Sequence, residues 1–374
     1  QTVPGLHLEG PYFAMAQKGG QDPRYIRNPD PLEYNELIAL ANGDIARWSL
    51  APELPGALEM GDVLVREGIL PAIGHSDATY EECVKAVAHG FRHVTHLYSC
   101  TSTITRKGGF RILGVTESAY LLDGLSVEII ADGCHLPPEL IRLIIKCKGI
   151  ENISLVSYSL RPAGLHVKEA LIGSKEDGRL CPIEDGVAKL PDRTAFAGSI
   201  ATADRLVRTV WKQAGIPLAD TIRMITENPA KVMGIGDRKG RLLPGFDADM
   251  VLFDEDVSIH GVCHRGRFSV LNRVQLRILI FQVVKEVVRC KLPAADVFDP
   301  VFWGQLIRLG VDMLRHPGVD GSKIARCNGR VDIQIFLHAV VVHSVVHVAD
   351  GVGREVAKAE GPVYILQIGR ASCR

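Results

Sequence analysis

The sequence predicts an α/β fold, an incomplete (β/α)8 barrel followed by the remnant of a small β-sandwich domain. Two observations predict the barrel: short apolar runs alternate with helical stretches, and each run ends in a polar or ionisable residue. Runs separated by helices form parallel strands, and polar strand ends favour a barrel over a doubly wound sheet. About six of the eight strands of a barrel are present, namely Val3–Leu8, Arg47–Leu50, Leu70–Ile73, His93–Thr95, Leu125–Ala131 and Ile153–Val156.

Helical stretches fall between these runs. In the third of them, apolar residues recur at helical spacing, and Gly90 lies where the helix would stop. The first four predicted helices are Pro31–Ala41, Leu54–Glu67, Tyr80–His89 and Pro138–Cys147.

After the sixth run the pattern is less regular. Residues 168–192 are rich in Gly, Asp and Glu and predict a long loop or a small hairpin. Two further helices are predicted over Ala201–Ala214 and Leu218–Thr226. Ser199 or Thr202 is the candidate N-cap of the first of these two.

Changes in this pattern set the predicted domain boundaries. Residues 1–235 form the barrel, and 236–266 form the C-terminal part of a small β domain that contains a strand at Met250–Phe253. Residues 267–374 are expected to be a tail outside both, because helical and strand periodicity is poor there. The last eight residues, 367–374, could be translated from a common sequencing adapter. A translation artefact and a divergent C-terminal domain are the two explanations of this tail.

Composition restricts the class of protein. The chain has 43 basic and 43 acidic residues, and this balance gives no support to nucleic-acid or anionic-membrane binding. The nine cysteines lack CxxC pairs, which is typical of a reducing cytosol. The longest apolar runs are too short or too interrupted to span a bilayer. We therefore expect a cytoplasmic protein, whose native N-terminus lies upstream because the chain begins with Gln1 and not Met.

Three candidate metal ligands lie at the ends of the predicted strands. Glu9 follows the first run, and His75 and His96 follow the third and fourth. A carboxylate and two imidazoles suit a divalent cation such as Zn²⁺ or Fe²⁺, and three protein ligands with an open position are the catalytic pattern. A single histidine at a strand end more often forms only a local hydrogen bond, so the prediction depends on the three residues together.

Several motifs carry a resemblance to a known family. The set resembles the N-acetylglucosamine-6-phosphate deacetylases of the amidohydrolase superfamily, from about Pro4 to about Asp256. It comprises GLHLEGP, GHSDAT, HLYS, ADGCH, LVSYSLRPAG, AGS, NPA and LLPGFDADMVLFD. The resemblance implies a barrel whose first two strands precede Gln1, one divalent metal ion (Zn or Fe) and a homodimer when full length. It also implies hydrolysis of N-acetylglucosamine 6-phosphate to glucosamine 6-phosphate and acetate.

The resemblance also assigns roles to individual residues. Glu9 matches the family's carboxylate ligand, and His75 and His96 match its two histidine ligands. His135 matches a histidine that contacts the substrate. Arg111 matches an arginine that binds the sugar phosphate, sometimes from the partner subunit, and a planar guanidinium suits a phosphate. A solvated surface charge is the alternative interpretation of Arg111.

The chain departs from the family pattern at three places. Leu113 stands near Arg111 where the family usually has Pro. Ser99 and Cys100 replace an Asn-Ala pair whose polar groups meet the substrate, so that contact is altered. Tyr158 replaces the aspartate that takes a proton from the attacking water and delivers one to the leaving amine.

Tyr158 bears directly on whether the chain can catalyse the reaction. A tyrosine with an ordinary pKa near 10 is a poor base at neutral pH, and loss of a general acid/base costs roughly 10²–10⁴-fold in rate. The change is either a natural substitution or a sequencing error, since Asp and Tyr codons differ by one base. The alternatives to a deacetylase are a catalytically inactive relative that binds metal and sugar phosphate, or another amidohydrolase acting on a cyclic amide or base.

Overall fold

The computed structural model describes residues 3–173, 175–270 and 364–366 of the chain. These residues fall into two compact units, one within Gln1–Gly240 and one within Arg241–Ile368. Within the described residues, no helix is long and apolar enough to cross a membrane. The predicted domain boundaries at 235 and 266 stay predictions. The predicted tail lies outside the described residues, apart from 267–270 and 364–366.

Six parallel strands form the main sheet of the first unit, in the order β1-β2-β3-β4-β7-β8. The α/β class and the six-stranded part of a barrel are therefore confirmed. Strands β5 and β6 form a separate antiparallel hairpin. The first eight strands are β1 (Leu6–Glu9), β2 (Ile45–Leu50), β3 (Leu70–Ile73), β4 (His93–Val94), β5 (Thr105–Lys107), β6 (Phe110–Ile112), β7 (Ser126–Ile130) and β8 (Ile153–Val156).

The α-helices of the first unit connect and cover these strands. The fourth helix along the chain, Val115–Leu121, was not predicted from the sequence. They are α1 (Pro31–Ala41), α2 (Ala57–Arg66), α3 (Tyr80–Ala88), α4 (Val115–Leu121), α5 (Pro138–Lys148), α6 (Ala203–Arg208), α7 (Leu218–Ile225) and α8 (Glu227–Val232). Residues Thr209–Gln213 extend α6 as a turn of π-helix.

Local chemistry explains where these helices begin and end. Asp30 caps α1 by accepting a hydrogen bond from the Leu32 amide, and the helix ends at Asn42 in a left-handed conformation. In α3 the Thr79 side chain accepts from the Glu82 amide while the Glu82 carboxylate accepts from the Thr79 amide. This capping box fixes the direction in which the chain leaves the loop that carries His75.

The irregular segment after β8 forms a second sheet. Its order is β12-β11-β10-β9, all antiparallel, where the sequence predicted only a loop or a hairpin over 168–192. Its strands are β9 (Glu169–Ile172), β10 (Arg179–Glu184), β11 (Val187–Lys189) and β12 (Phe196–Ser199). A single parallel bridge joins Ser159 to Ser199, so this sheet is anchored beside the carboxyl end of β8.

The second unit contains an antiparallel sheet in the order β15-β14-β13-β16. One of its two inner strands, Met250–Phe253, is the one predicted from the sequence. The strands are β13 (Met250–Phe253), β14 (Ile259–His264), β15 (Arg267–Val270) and β16 (Tyr364–Leu366).

Gly61 lets helix α2 approach the buried ring of Phe91. A Cβ at Gly61 would lie 2.6 Å from Phe91 Cε2 and 3.1 Å from the His89 carbonyl oxygen. Phe91 is fully buried, so it has little freedom to move aside. We expect Gly61→Ala to lower the free energy of unfolding by about 1–3 kcal/mol, since overpacking outweighs the gain in helix propensity. Urea unfolding measures this change, with Glu59→Ala on the exposed face of α2 as control.

An equal stability of Gly61→Ala and the parent chain would contradict this packing. The control is expected to change stability by less than about 0.5 kcal/mol, as is usual for an exposed position.

Candidate metal centre

Four side chains lie at the carboxyl edge of the parallel sheet, at or just beyond the ends of their strands. Glu9 is the last residue of β1. His75, His96 and Tyr158 each lie two residues beyond the end of their strands β3, β4 and β8. The carboxyl ends of barrel strands lie on one face, which is where ligands bind in this architecture.

The structure brings Glu9, His75 and His96 together. Their candidate ligand atoms all lie within 4.8 Å of one another. Glu9 Oε1 lies 2.8 Å from His75 Nε2 and 2.9 Å from His96 Nε2. Both imidazoles are nearly buried, and the carboxylate is 20% exposed. The cluster therefore has one oxygen and two nitrogen donors that converge in a sheltered place.

The backbone is strained where these side chains leave their strands. The φ angles are 50° at His75, 33° at His96 and 49° at Tyr158, all in the left-handed region. Such a conformation in a residue other than glycine costs of order 1–3 kcal/mol and is concentrated at functional sites. Its recurrence at three strand ends of the same sheet supports a binding role for this edge.

Charge within the cluster shifts the pKa of each member. Burial alone would raise the pKa of Glu9, but hydrogen bonds with His75 and His96 hold it well below its usual value. Burial lowers the pKa of His75, yet contacts with Cys100 and Glu9 raise it to about 9. The pKa of His96 is also raised, because Glu9 outweighs its burial. The raised pKa values of the two histidines show that the Glu9 carboxylate stabilises positive charge at this place.

The donor set fits a divalent ion such as Zn²⁺ or Fe²⁺. The Gln17 carbonyl oxygen lies 2.8 Å from His75 Nδ1, which must donate to it, so the lone pair of a neutral His75 is on Nε2, the nitrogen that faces Glu9. His96 Nδ1 is buried without a hydrogen-bond partner among the described residues. A carboxylate with two imidazole nitrogens leaves room for further ligands, which is the pattern of catalytic metal sites.

Packing fixes the His75 ring. Phe13 stacks on it with ring centroids 4.3 Å apart. Gly10 allows this arrangement, because a Cβ there would lie 2.4 Å from the Phe13 ring. On another side of the ring, Gly19 lies so close to Cys100 that a Cβ added at Gly19 would be 2.3 Å from Cys100 Sγ.

Glu53 holds the loop after His75 and was not predicted as a site residue. Its carboxylate accepts hydrogen bonds from the Ser76 hydroxyl at 2.7 Å and from the Asp77 amide at 2.6 Å. It follows β2 in the run Ala51-Pro52-Glu53, so its place at a strand end was the signal in the sequence. Its role is to position the loop.

Tyr158 joins the cluster through Glu9. Its hydroxyl donates a hydrogen bond to Glu9 Oε2 at 2.8 Å, so it uses the oxygen that the histidines do not. Its ring forms edge-to-face pairs with the rings of His96 and His7, with centroids 5.0 Å and 6.3 Å apart respectively. Burial and the charges of Glu9 and Glu128 raise the pKa of Tyr158 well above 10. At neutral pH the phenol is therefore a donor and cannot act as a base.

His135 lies beyond β7 and is oriented by Asp132. Asp132 accepts from His135 Nδ1 at 2.8 Å, and its other oxygen accepts from the Cys134 and His135 amides at 2.8 Å. Asp132 lies two residues after β7, the same offset as the cluster histidines. The rings of His135 and of Phe196, from β12, form an edge-to-face pair with their centroids 5.0 Å apart. The hydrogen bond to Asp132 thus keeps a proton on Nδ1 of His135.

The remaining predicted residues are placed differently. Arg111 lies on the β5–β6 hairpin, is exposed and is not brought to the cluster; its side chain donates a 3.4 Å hydrogen bond to the Gly109 carbonyl oxygen. Ser99 and Cys100 are half-buried in the loop after His96, and Cys100 contacts His75. The role of each in substrate binding stays a prediction.

A buried polar network lies beneath the cluster. Arg47 Nη1 donates to Glu128 Oε2 at 2.6 Å, and Arg47 Nη2 donates to His7 Nδ1 at 2.7 Å. The His7 proton is therefore on Nε2, which donates to Ser49 Oγ at 2.7 Å. Burial and the charge of Arg47 lower the pKa of His7 to about 3, so it stays neutral. This network ties β1, β2 and β7 together.

Comparisons with known proteins agree with this architecture. A sequence model of the amidohydrolase family matches residues 1–276. N-acetylglucosamine-6-phosphate deacetylase of Lysinibacillus sphaericus is 32% identical over 72% of this chain and 67% of its own length. N-acetylgalactosamine-6-phosphate deacetylase of Escherichia coli O157:H7 is 30% identical over 71% of this chain and 68% of its own length.

A solved structure gives the same result. It is an aspartate-to-alanine mutant of the Mycobacterium smegmatis N-acetyl-D-glucosamine-6-phosphate deacetylase in complex with N-acetyl-D-glucosamine-6-phosphate. It matches with a TM-score of 0.66 and 30% identity over 71% of this chain and 68% of that one. The chain thus spans about two thirds of the length of its relatives. The matching family model, together with the cluster at the strand ends, shows that the chain belongs to the amidohydrolase family.

Proposed function

We propose that the chain binds one divalent metal ion, Zn²⁺ or Fe²⁺, through Glu9, His75 and His96 and takes N-acetylglucosamine 6-phosphate as its ligand. Its reaction is hydrolysis of the N-acetyl group, slowed by the residue at position 158. The observation that carries this proposal is the convergence of both histidine Nε2 atoms on Glu9 Oε1. Two deacetylases of amino-sugar phosphates among the relatives support the substrate class.

The chain's own residues have separable roles in this proposal. A bound divalent ion supplies a Lewis acid that polarises the acetyl carbonyl and activates water. His135, with its ring fixed by Asp132, contacts the bound sugar. Arg111, on an exposed hairpin, binds the phosphate, from its own chain or from a partner in a homodimer. Ser99 and Cys100 stand where the family's Asn-Ala pair meets the substrate.

Tyr158 cannot take over the proton transfers of an aspartate. Its hydroxyl already donates to Glu9, and its raised pKa keeps the proton on the phenol at neutral pH. We therefore expect binding to be retained while turnover is slow. A binding protein without turnover is the second candidate, favoured by this same hydrogen bond.

Acetate release tests the proposal. The full chain, loaded with Zn²⁺ or Fe²⁺, is assayed with the 6-phosphates of N-acetylglucosamine and N-acetylgalactosamine, with unphosphorylated N-acetylglucosamine and with a cyclic amide. Calorimetry measures binding of the same compounds. We expect a phosphorylated amino sugar to bind and to release acetate slowly, because Arg111 recognises phosphate.

Each alternative predicts a different result. A non-catalytic relative binds the sugar phosphate and releases no acetate at any enzyme concentration. An amidohydrolase of another substrate class turns over the cyclic amide faster than any sugar phosphate, and this outcome would overturn the proposal. A homodimer and a cytoplasmic location remain predictions.

A further inference from the structure

The two oxygens of Glu9 have different partners. Oε1 faces the two histidines at 2.8 and 2.9 Å, and Oε2 accepts from the Tyr158 hydroxyl at 2.8 Å. A carboxylate with one oxygen held by a donor cannot rotate freely about its terminal torsion. The hydroxyl therefore selects the orientation in which Oε1 meets the histidines.

We propose that Tyr158 is a positioning residue for the metal centre, which holds Glu9 as a one-oxygen ligand by donating a hydrogen bond to Oε2. This inference rests on the proposed metal site. It assigns position 158 a task that an ionised aspartate cannot perform, because an ionised carboxylate accepts hydrogen bonds and cannot donate them. Tyr158, which stands in place of the family's acid/base aspartate, thereby supports the binding of the ion.

The surroundings of Tyr158 hold the phenol in this place. Its ring meets the His96 ring at 75° and the His7 ring at 73°, both edge-on. His7 is itself held by Arg47 and Ser49. With the ring fixed on two sides, little side-chain entropy opposes the hydrogen bond to Glu9.

A packing role is the competing explanation, and it makes a different prediction. If only the ring matters, removal of the hydroxyl leaves the metal centre unchanged, since Tyr158→Phe keeps both ring contacts. If the hydroxyl orients Glu9, the same variant weakens the metal site. Partners that orient metal ligands typically contribute about 10–100-fold to metal affinity.

Zn²⁺ affinity of the full chain, measured by competition with a chromophoric chelator, tests the proposal. We expect Tyr158→Phe to bind Zn²⁺ about 10–100-fold more weakly than the parent. The matched control is Tyr12→Phe, which removes a hydroxyl that donates to a different glutamate, Glu33, at 3.0 Å. The control is expected to keep the parent affinity.

A second measurement separates orientation from a general loss of structure. With Co²⁺ as the probe, the visible absorption bands report the geometry of the ligands, and we expect them to shift in Tyr158→Phe but not in Tyr12→Phe. Equal Zn²⁺ affinity and identical Co²⁺ spectra in Tyr158→Phe and the parent would overturn the positioning role alone. Failure of the parent to bind either ion would overturn the metal site itself, and this inference with it.

Discussion

At saturating Zn²⁺, Tyr158→Asp is expected to raise the rate of acetate release from N-acetylglucosamine 6-phosphate by about 10²–10⁴-fold, the usual contribution of a general acid/base. The physical reason is the basicity of the group beside Glu9. The pKa of the tyrosine is raised well above 10, so at neutral pH it cannot accept a proton. A carboxylate is ionised at neutral pH and can both accept a proton and return it to the leaving amine.

The comparison needs a control that changes the residue without supplying a base. Tyr158→Asn has nearly the shape of the aspartate variant but does not titrate, and we expect it to stay as slow as the parent. Calorimetry with the same sugar phosphate checks that both variants bind. If the aspartate variant binds and its rate does not rise, position 158 is not the missing acid/base and the non-catalytic alternative is favoured.

Glu128→Leu is expected to lower the free energy of unfolding by about 3–5 kcal/mol, the usual cost of leaving one partner of a buried ion pair alone. Arg47 is 7% exposed and Glu128 is 1% exposed, and two hydrogen bonds of 2.6 and 3.2 Å join them. Without the carboxylate, the guanidinium keeps its charge in a place where water cannot replace its partner.

The double variant Arg47→Met with Glu128→Leu is the matched control. It removes both charges, so we expect it to be more stable than Glu128→Leu alone. Urea unfolding followed by tryptophan fluorescence measures all three chains. Equal stability of the single and double variants would show that the unpaired charge is not the cause.

The pH dependence of stability has a definite sign for this pair. Burial would raise the pKa of Glu128, but the charge of Arg47 and the hydrogen bond with His93 hold it far below its usual value of 4.5. The stabilisation is therefore present above pH 4.5 and is lost as the pH falls toward the lower folded-state pKa. We expect the free energy of unfolding of the double variant to fall less steeply with decreasing pH than that of the parent.

Much of the barrel was predictable because its signals are local. Helix α1 has the predicted bounds, since Asp30 and Pro31 mark its start and the chain turns at Asn42. The strand at Val3–Leu8 begins later, at Leu6. The sheet over 169–199 was not recognised, because its strands are short and half-exposed and lack clear alternation. Helix α4 was missed because only seven residues form it.

The residues of the site could be predicted from the sequence, but most of the contacts between them could not. Glu9, His75 and His96 are each visible as a polar residue at the end of a strand, and parallel strands bring such ends together. Glu53 and Asp132 also lie at strand ends, yet only the fold shows which side chain each one holds. The hydrogen bond between Tyr158 and Glu9 joins residues 149 positions apart, so no local pattern could indicate it.

The zinc content of the purified chain shows whether Glu9, His75 and His96 hold a metal ion. The full chain and a variant combining Glu9→Gln, His75→Asn and His96→Asn are loaded with Zn²⁺, desalted and measured by elemental mass spectrometry, with circular dichroism to check the fold. We predict one zinc ion per parent chain and none retained by the folded triple variant. An equal zinc content in the two chains, or none in the parent, would contradict a metal centre at the ends of β1, β3 and β4.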